Sequence, residues 1–123
     1  MGTTDLTLFH ELASPQYKSK TEKYWGDVVG SAIVADALGA TVMLQLYEPI
    51  ALRYAGNYYT PDFFYILDDG RGVFVEIKGS KKARGYRETR SKLRACAKTY
   101  GWWTFCEAVG GERNGYEFEV IKS

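Results

Sequence analysis

The spacing of apolar and polar positions divides the chain into helical and extended stretches. From about Lys20 or Thr21 to Leu38, the residues Trp25, Val28, Val29, Ala32, Ile33, Ala35 and Leu38 recur at helical spacing, and Gly39 supplies a stop. Gly26 and Gly30 weaken the intrinsic propensity of this helix, so packing must hold it. Thr41 to Tyr47 reads as a strand that Pro49 interrupts, Ile50 to Tyr54 as a short extended piece, and Ala55-Gly56-Asn57 as a turn. Asp62 to Leu67 and Val73 to Lys78 flank the turn Asp68-Asp69-Gly70-Arg71-Gly72 and predict a hairpin. A second helix is predicted from about Arg84 to Lys98. Tyr86, Thr89, Leu93, Cys96 and Ala97 form its inner face, and Arg87, Arg90, Arg94 and Lys98 form one outer stripe. Trp102 to Ala108 reads as a buried strand and Tyr116 to Ile121 as a final edge strand after a Gly-rich loop. This order predicts an α/β class, with a central mixed β-sheet of about four to five strands flanked by helices. Pro15 breaks the lead-in, so residues 1–18 are expected to form an arm on a single domain spanning 1–123.

Composition adds little to that picture until charge is considered. A chain of 123 residues that is 46% hydrophobic suits one compact core. No apolar stretch approaches the roughly 18–20 residues of a membrane helix. Met1 to Leu12 lacks the basic lead and apolar run of a signal peptide, so the expected compartment is the cytoplasm, a host cytoplasm if the origin is a phage. Cys96 and Cys106 have no metal-binding spacing and are expected to be buried thiols. His10 is the only histidine, which excludes any mechanism that needs two. The formal net charge of +1 hides an asymmetry. Lys78, Lys81, Lys82, Arg84, Arg87, Arg90, Lys92, Arg94 and Lys98 lie in one stretch that only Glu88 opposes. Such a block implies a localised face for a polyanion.

The stretch with the most chemistry is Pro61-Asp62, then thirteen residues, then Glu76-Ile77-Lys78. Alternation along a strand puts Glu76 and Lys78 on one face and Ile77 in the core. A hairpin folded about Gly70 places Asp62 opposite Lys78 and Phe64 opposite Glu76, which makes Asp62 and Glu76 diagonal neighbours. Two carboxylates beside a lysine suit Mg²⁺, and the Ile77 carbonyl offers a further oxygen. The ion would polarise a phosphate and activate water, while the lysine would hold that water or stabilise the extra charge on phosphorus. The same three residues would also make an ordinary cross-strand ion pair on a solvated hairpin. Their neighbours Tyr58-Tyr59, Phe63-Phe64-Tyr65 and Val73-Phe74-Val75 argue against solvation, because buried carboxylates need a partner such as a metal. Glu22 projects from the stripe of Trp25, Val29 and Ile33, whereas Asp27 falls off it. Gln45 and Glu48 are candidate supporting groups on and after the first strand.

Tyr59-Thr60-Pro61-Asp62-Phe63 followed by Val75-Glu76-Ile77-Lys78-Gly79 resembles the PD-(D/E)xK motif of the restriction-endonuclease-like nuclease superfamily. Within it, the chain looks most similar to small phage-type endonucleases and archaeal-type Holliday junction resolvases, over roughly residues 18–108. The resemblance implies a restriction-endonuclease-like core and a metal-dependent nuclease. Asp62, Glu76 and the Ile77 main chain would hold Mg²⁺, with Mn²⁺ substituting, Glu22 would bind the ion directly or through water, and Lys78 would be catalytic. One departure is the lack of any Gln on the helix after the motif, where exonuclease-like branches carry Gln and Tyr. The basic residues Lys81, Lys82, Arg84, Arg87, Arg90 and Arg94 are the candidate DNA contacts, which position a phosphate backbone without reading bases. The expected activity is therefore endonucleolytic and structure-selective, as on branched DNA. One site per chain makes a homodimer the natural form for cutting two strands, with Tyr17 or Tyr47 as candidate interface aromatics. The alternatives are a general phage-type endonuclease acting on linear or single-stranded DNA, a non-catalytic DNA-binding protein on the same fold, and a protein-interaction module.

Overall fold

The computed structural model describes residues 15–122. His10 and most of the expected arm lie outside the described residues. Ser19 opens the first helix, its Oγ accepting the Glu22 N–H at 3.1 Å. The helical stretch then runs as α1 (Lys20–Tyr24), a π-helical turn (Trp25–Val29) and α2 (Gly30–Leu38). The single α-helical period expected here is thus corrected by one wide turn. A π turn accommodates an additional residue and rotates everything after it. Val34 therefore becomes fully buried, while Val28 is left 62% exposed. Gly30 sits where the helix crosses the Trp25 Nε1–H to Tyr65 hydroxyl bond of 2.8 Å. A Cβ there would meet both Trp25 Nε1 and the Tyr65 hydroxyl at 2.6 Å, so a larger residue would push the bonded pair aside. Gly39 ends α2 in the left-handed conformation.

Seven strands follow: β1 (Val42–Tyr47), β2 (Leu52–Tyr54), β3 (Asn57–Tyr59), β4 (Phe63–Leu67), β5 (Gly72–Lys78), β6 (Thr104–Gly111) and β7 (Gly115–Val120), with α3 (Tyr86–Thr99) between β5 and β6. The main sheet has the order β1-β4-β5-β6-β7, and β2 and β3 form a separate two-stranded hairpin. Within the main sheet β5 and β6 are parallel and the other neighbours antiparallel. The chain is thus α/β with a mixed five-stranded sheet. The sequence reading missed β3, because Asn57–Tyr59 borders the turn residues Ala55-Gly56 and is too short to show a period.

Burial sorts the sheet into two faces. On one, Phe63, Tyr65, Val75, Ile77 and Cys106 pack under Trp25 and Val34 of the first helical layer. On the other, Phe74 and Phe105 pack with Leu93 and Cys96 of α3 and with Leu52 and Tyr59 of the small hairpin. The β2–β3 hairpin and α3 together roof the face that carries Glu76 and Lys78. Tyr17 and Tyr47 are half-buried rather than fully exposed. Their rings pack edge-to-face at 4.8 Å, and both lie against Phe63. Both cysteines are buried and free. No helix among the described residues is long and apolar enough to cross a membrane.

Candidate active site

The β4–β5 hairpin does not fold in the register expected. Phe63 pairs with Val75 and Phe64 with Phe74, so Phe64 does not face Glu76. The tight turn at Asp68–Gly72 sets this pairing two residues away from the one centred on Gly70. Asp62, one residue before β4, consequently stands directly across from Glu76 rather than diagonal to it. Where β4 ends, the Asp62 side chain takes over its pairing. Asp62 Oδ2 accepts the Ile77 N–H at 2.8 Å, and the Asp62 N–H donates to Glu76 Oε1 at 3.2 Å. The Asp62 carbonyl in turn accepts the Glu48 N–H at 2.7 Å. Glu48 turns the chain after β1 with φ 46, a left-handed conformation that a side chain adopts only under constraint.

Both carboxylates are 7% exposed. One oxygen of each is committed. Asp62 Oδ2 has the Ile77 N–H, and Glu76 Oε1 has the Asp62 N–H and the Tyr59 hydroxyl, the latter at 2.5 Å. Asp62 Oδ1 and Glu76 Oε2 accept no hydrogen bond from the described residues, and Lys78 Nζ stands 3.9 Å from Glu76 Oε2. Burial, then the charge of Glu76, pushes the Asp62 carboxyl above the usual carboxylate range. Burial raises Glu76 likewise, against the Tyr59 hydrogen bond and Lys78. Tyr59 remains a neutral donor, because burial and the Glu76 charge hold its hydroxyl far above its ordinary value. Tyr59 was not anticipated, and its only signal in the sequence was its place three residues before Asp62.

Glu22 lies at the start of α1, with Oε1 accepting from the Tyr47 hydroxyl. Its charge reaches Asp62 and Glu76, but the three do not form a cage. Among the described residues, no group of three or more His, Cys, Asp and Glu side chains stands close enough together to hold a metal ion. The Asp62–Glu76 pair nevertheless fits a hard divalent cation. Mg²⁺ is held by one or two carboxylates and keeps several waters, and two buried, mutually repelling carboxylates with one uncommitted oxygen each are the donors it needs. Asp27 is away from this pair, bonded to Lys23 at 2.8 Å. Gln45 supports the core instead, with its Nε2 donating to the Gly26 carbonyl and its Oε1 accepting from Tyr65. Glu48 pairs with Lys18 at 2.9 Å.

The same face of the sheet carries two more acids in the same row. Glu76 is the β5 partner of Glu107 on β6, and Glu107 is the partner of Glu119 on β7. Arg90 lies on these two. Its Nη1 donates to Glu107 Oε1 at 2.7 Å and its Nη2 to Glu119 Oε2 at 2.8 Å, and the Tyr86 hydroxyl donates to Glu107 Oε1 at 2.7 Å. Arg90 is therefore not part of the outer basic stripe, and its side chain is only 17% exposed. It is four residues after Tyr86 and three before Leu93, so it falls at the edge of the buried face and turns inward. Lys81, Lys82, Arg84, Arg87 and Arg94 are exposed, with Lys81 meeting Glu117 at 3.5 Å. A cleft of about 390 Å³, lined by Gly79, Ser80, Lys81, Asn114 and Tyr116 among others, begins one residue after Lys78.

No protein-family model matches the chain. No curated protein matches it either. Among solved structures, one described as the crystal structure of SSO0001 is similar at 13% identity, with a TM-score of 0.37, over 97% of this chain and 75% of that chain.

Proposed function

We propose that this protein is a divalent-cation-dependent nuclease that hydrolyses DNA phosphodiester bonds at the Asp62–Glu76–Lys78 end of the β4–β5 hairpin, on a restriction-endonuclease-like core. The observation that carries the reading is the Asp62–Glu76 pair, which is buried and face to face, with one oxygen of each carboxylate fixed and the other free. Along the same row Glu107 and Glu119 have an arginine in hydrogen-bond contact, whereas the cation beside Asp62 and Glu76 is Lys78, 3.9 Å from Glu76. The order of elements, helix then β1, β4, β5, then α3 and β6, agrees with the resemblance of the motif.

In this reading Asp62 and Glu76 hold Mg²⁺ or Mn²⁺, with Ile77 offering its carbonyl. The ion supplies charge neutralisation at a phosphoryl oxygen and activation of water. Lys78, half-buried on the same strand face as Glu76, faces the phosphate and stabilises the negative charge that grows as water adds to phosphorus and the ester P–O bond breaks. Glu22, steadied by Tyr47, would add its charge to the site and bind the ion directly or through water. Lys81, Lys82, Arg84, Arg87 and Arg94 hold backbone phosphates, and the cleft past Lys78 takes the continuing strand. Binding by backbone contacts favours recognition of DNA shape, as in branched junctions, and cutting both strands of a duplex calls for a homodimer.

The test is cleavage of labelled linear duplex, single-stranded and four-way DNA with Mg²⁺ or with EDTA, beside Asp62→Ala and Lys78→Ala. Cation-dependent cutting that both variants lose supports the reading, and the preferred DNA identifies the substrate class. No cutting of any of the three by the wild type with Mg²⁺ or Mn²⁺ refutes it and leaves a DNA-binding protein if the same DNAs are bound.

A further inference from the structure

We infer that the site takes one divalent cation rather than two, because Arg90 occupies the neighbouring acid pair as a built-in cation. This rests on the proposed cation site at Asp62 and Glu76. Two-ion sites place their ions roughly 3.5–4 Å apart and share carboxylates between them. Adjacent strands are about 4.8 Å apart, so the natural place for a second ion next to Glu76 on this sheet is its β6 partner Glu107. Glu107 is 1% exposed, and Arg90 is already on it.

The way Arg90 binds supports this role. A guanidinium usually forks onto a single carboxylate with two parallel bonds. Arg90 instead gives one bond to Glu107 and one to Glu119, bridging two carboxylates as an ion would. The arrangement leaves Arg90 Nε and Glu107 Oε2 buried without partners, so it is not the pairing that best satisfies either residue. Arginine keeps its charge at every accessible pH, so this position is closed permanently. On the other flank Glu22 is engaged by Tyr47 and Glu48 by Lys18. Asp62 and Glu76 are left as the facing pair of buried carboxylates that no arginine bridges among the described residues.

The experiment counts Ca²⁺ per chain by calorimetry on the full-length protein, with Mn²⁺ titrated by electron paramagnetic resonance as a second probe. The wild type is expected to bind one ion, and Glu107→Gln, which still accepts from Arg90, also one. Arg90→Gln is expected to gain a second, weaker ion and to show a larger Ca²⁺-induced rise in Tm than the wild type, and adding Glu107→Gln to it should return the count to one. Two ions in the wild type, a Glu107→Gln protein that binds none, or an Arg90→Gln protein that folds and still binds one would each overturn the inference. If Arg90→Gln does not fold in either ion, the wild-type and Glu107→Gln counts decide it alone. A wild-type count of zero instead removes the cation-site reading on which it rests.

Discussion

Glu76 and Glu107 are partners across the parallel β5–β6 pairing and share the face beneath α3, yet only Glu107 has an arginine in hydrogen-bond contact. The nearest cation to Glu76 is Lys78, at 3.9 Å, and Glu76 shares it with Asp62. The fold thus gives one acid an arginine and leaves its neighbour with a lysine at the edge of contact.

Replacing Asp62 by Asn should abolish cation binding, because one of two uncommitted carboxylates loses its charge. Replacing Lys78 by Met should leave cation binding intact and slow cleavage by about 10²–10³-fold, the usual effect of removing one group that stabilises developing charge. Calorimetry beside single-turnover kinetics separates the two, and equal losses of binding in both variants would contradict the assigned roles.

Tyr59→Phe deletes the hydroxyl that fixes Glu76 Oε1 and little else. Partners of this kind orient a ligand, and their loss typically weakens metal binding by about 10–100-fold. The variant should keep its Tm within a few degrees while the Mg²⁺ concentration for half-maximal cleavage rises. An unchanged Mg²⁺ dependence would reduce Tyr59 to a packing residue.

Stability should depend on pH and on cation together. Burial raises both the Asp62 and Glu76 carboxyls above their unfolded values, and the Glu76 charge raises Asp62 further. The folded state therefore holds their protons more tightly than the unfolded chain, and stability falls as pH rises from the ordinary carboxylate range near about pH 4 toward neutrality. A divalent cation offsets the repulsion that grows over that window. The Tm gain from Mg²⁺ should accordingly be small at pH 5, larger at pH 8, and lost in Asp62→Asn, as thermal melts at both pH values would show.

Arg87 and Arg94 are exposed, whereas Arg90 is paired. Replacing either exposed arginine by Ala should weaken DNA binding at all sequences and reduce the slope of log affinity against log salt by about 1. Arg90→Ala should instead appear mainly as lost stability, because it leaves Glu107 buried without its partner. Anisotropy titrations across salt concentrations, paired with melts, distinguish the two.

Gly30→Ala should cost about 1–3 kcal/mol, since its Cβ would strike the Trp25–Tyr65 hydrogen bond from both sides. Chemical denaturation measures it directly, and a neutral result would mean that the helix can lift off the sheet at that point.

Several of these features were legible in the chain and several were not. Asp62, Glu76 and Lys78 stood out because period-2 alternation places charges in strands whose other residues demand burial, and the structure does bring them together at one end of the sheet. The hairpin register was misjudged because it depends on how Asp68–Gly72 close the turn, which composition alone does not fix. Arg90 was misplaced because it lies at the border of the helical wheel, where a long side chain can turn either way and the deciding partners, Glu107 and Glu119, are on other strands. The extended piece at β2 and the turn after it were legible, but Tyr59 and β3 escaped because a three-residue strand beside turn residues carries no period. The π turn escaped because nothing in Trp-Gly-Asp-Val-Val announces a wider turn.

That turn sets the phase between two obligations of one helix. Upstream, Glu22 must face the acids at the sheet's end. Downstream, Val34 must face its middle. A regular helix joining them would satisfy only one, since each residue advances the wheel by ~100°. Straightening the turn at Trp25–Val29 without a deletion would therefore move Glu22 or Val34 by ~100°, whereas deleting one residue there would leave a regular helix with both in their present directions.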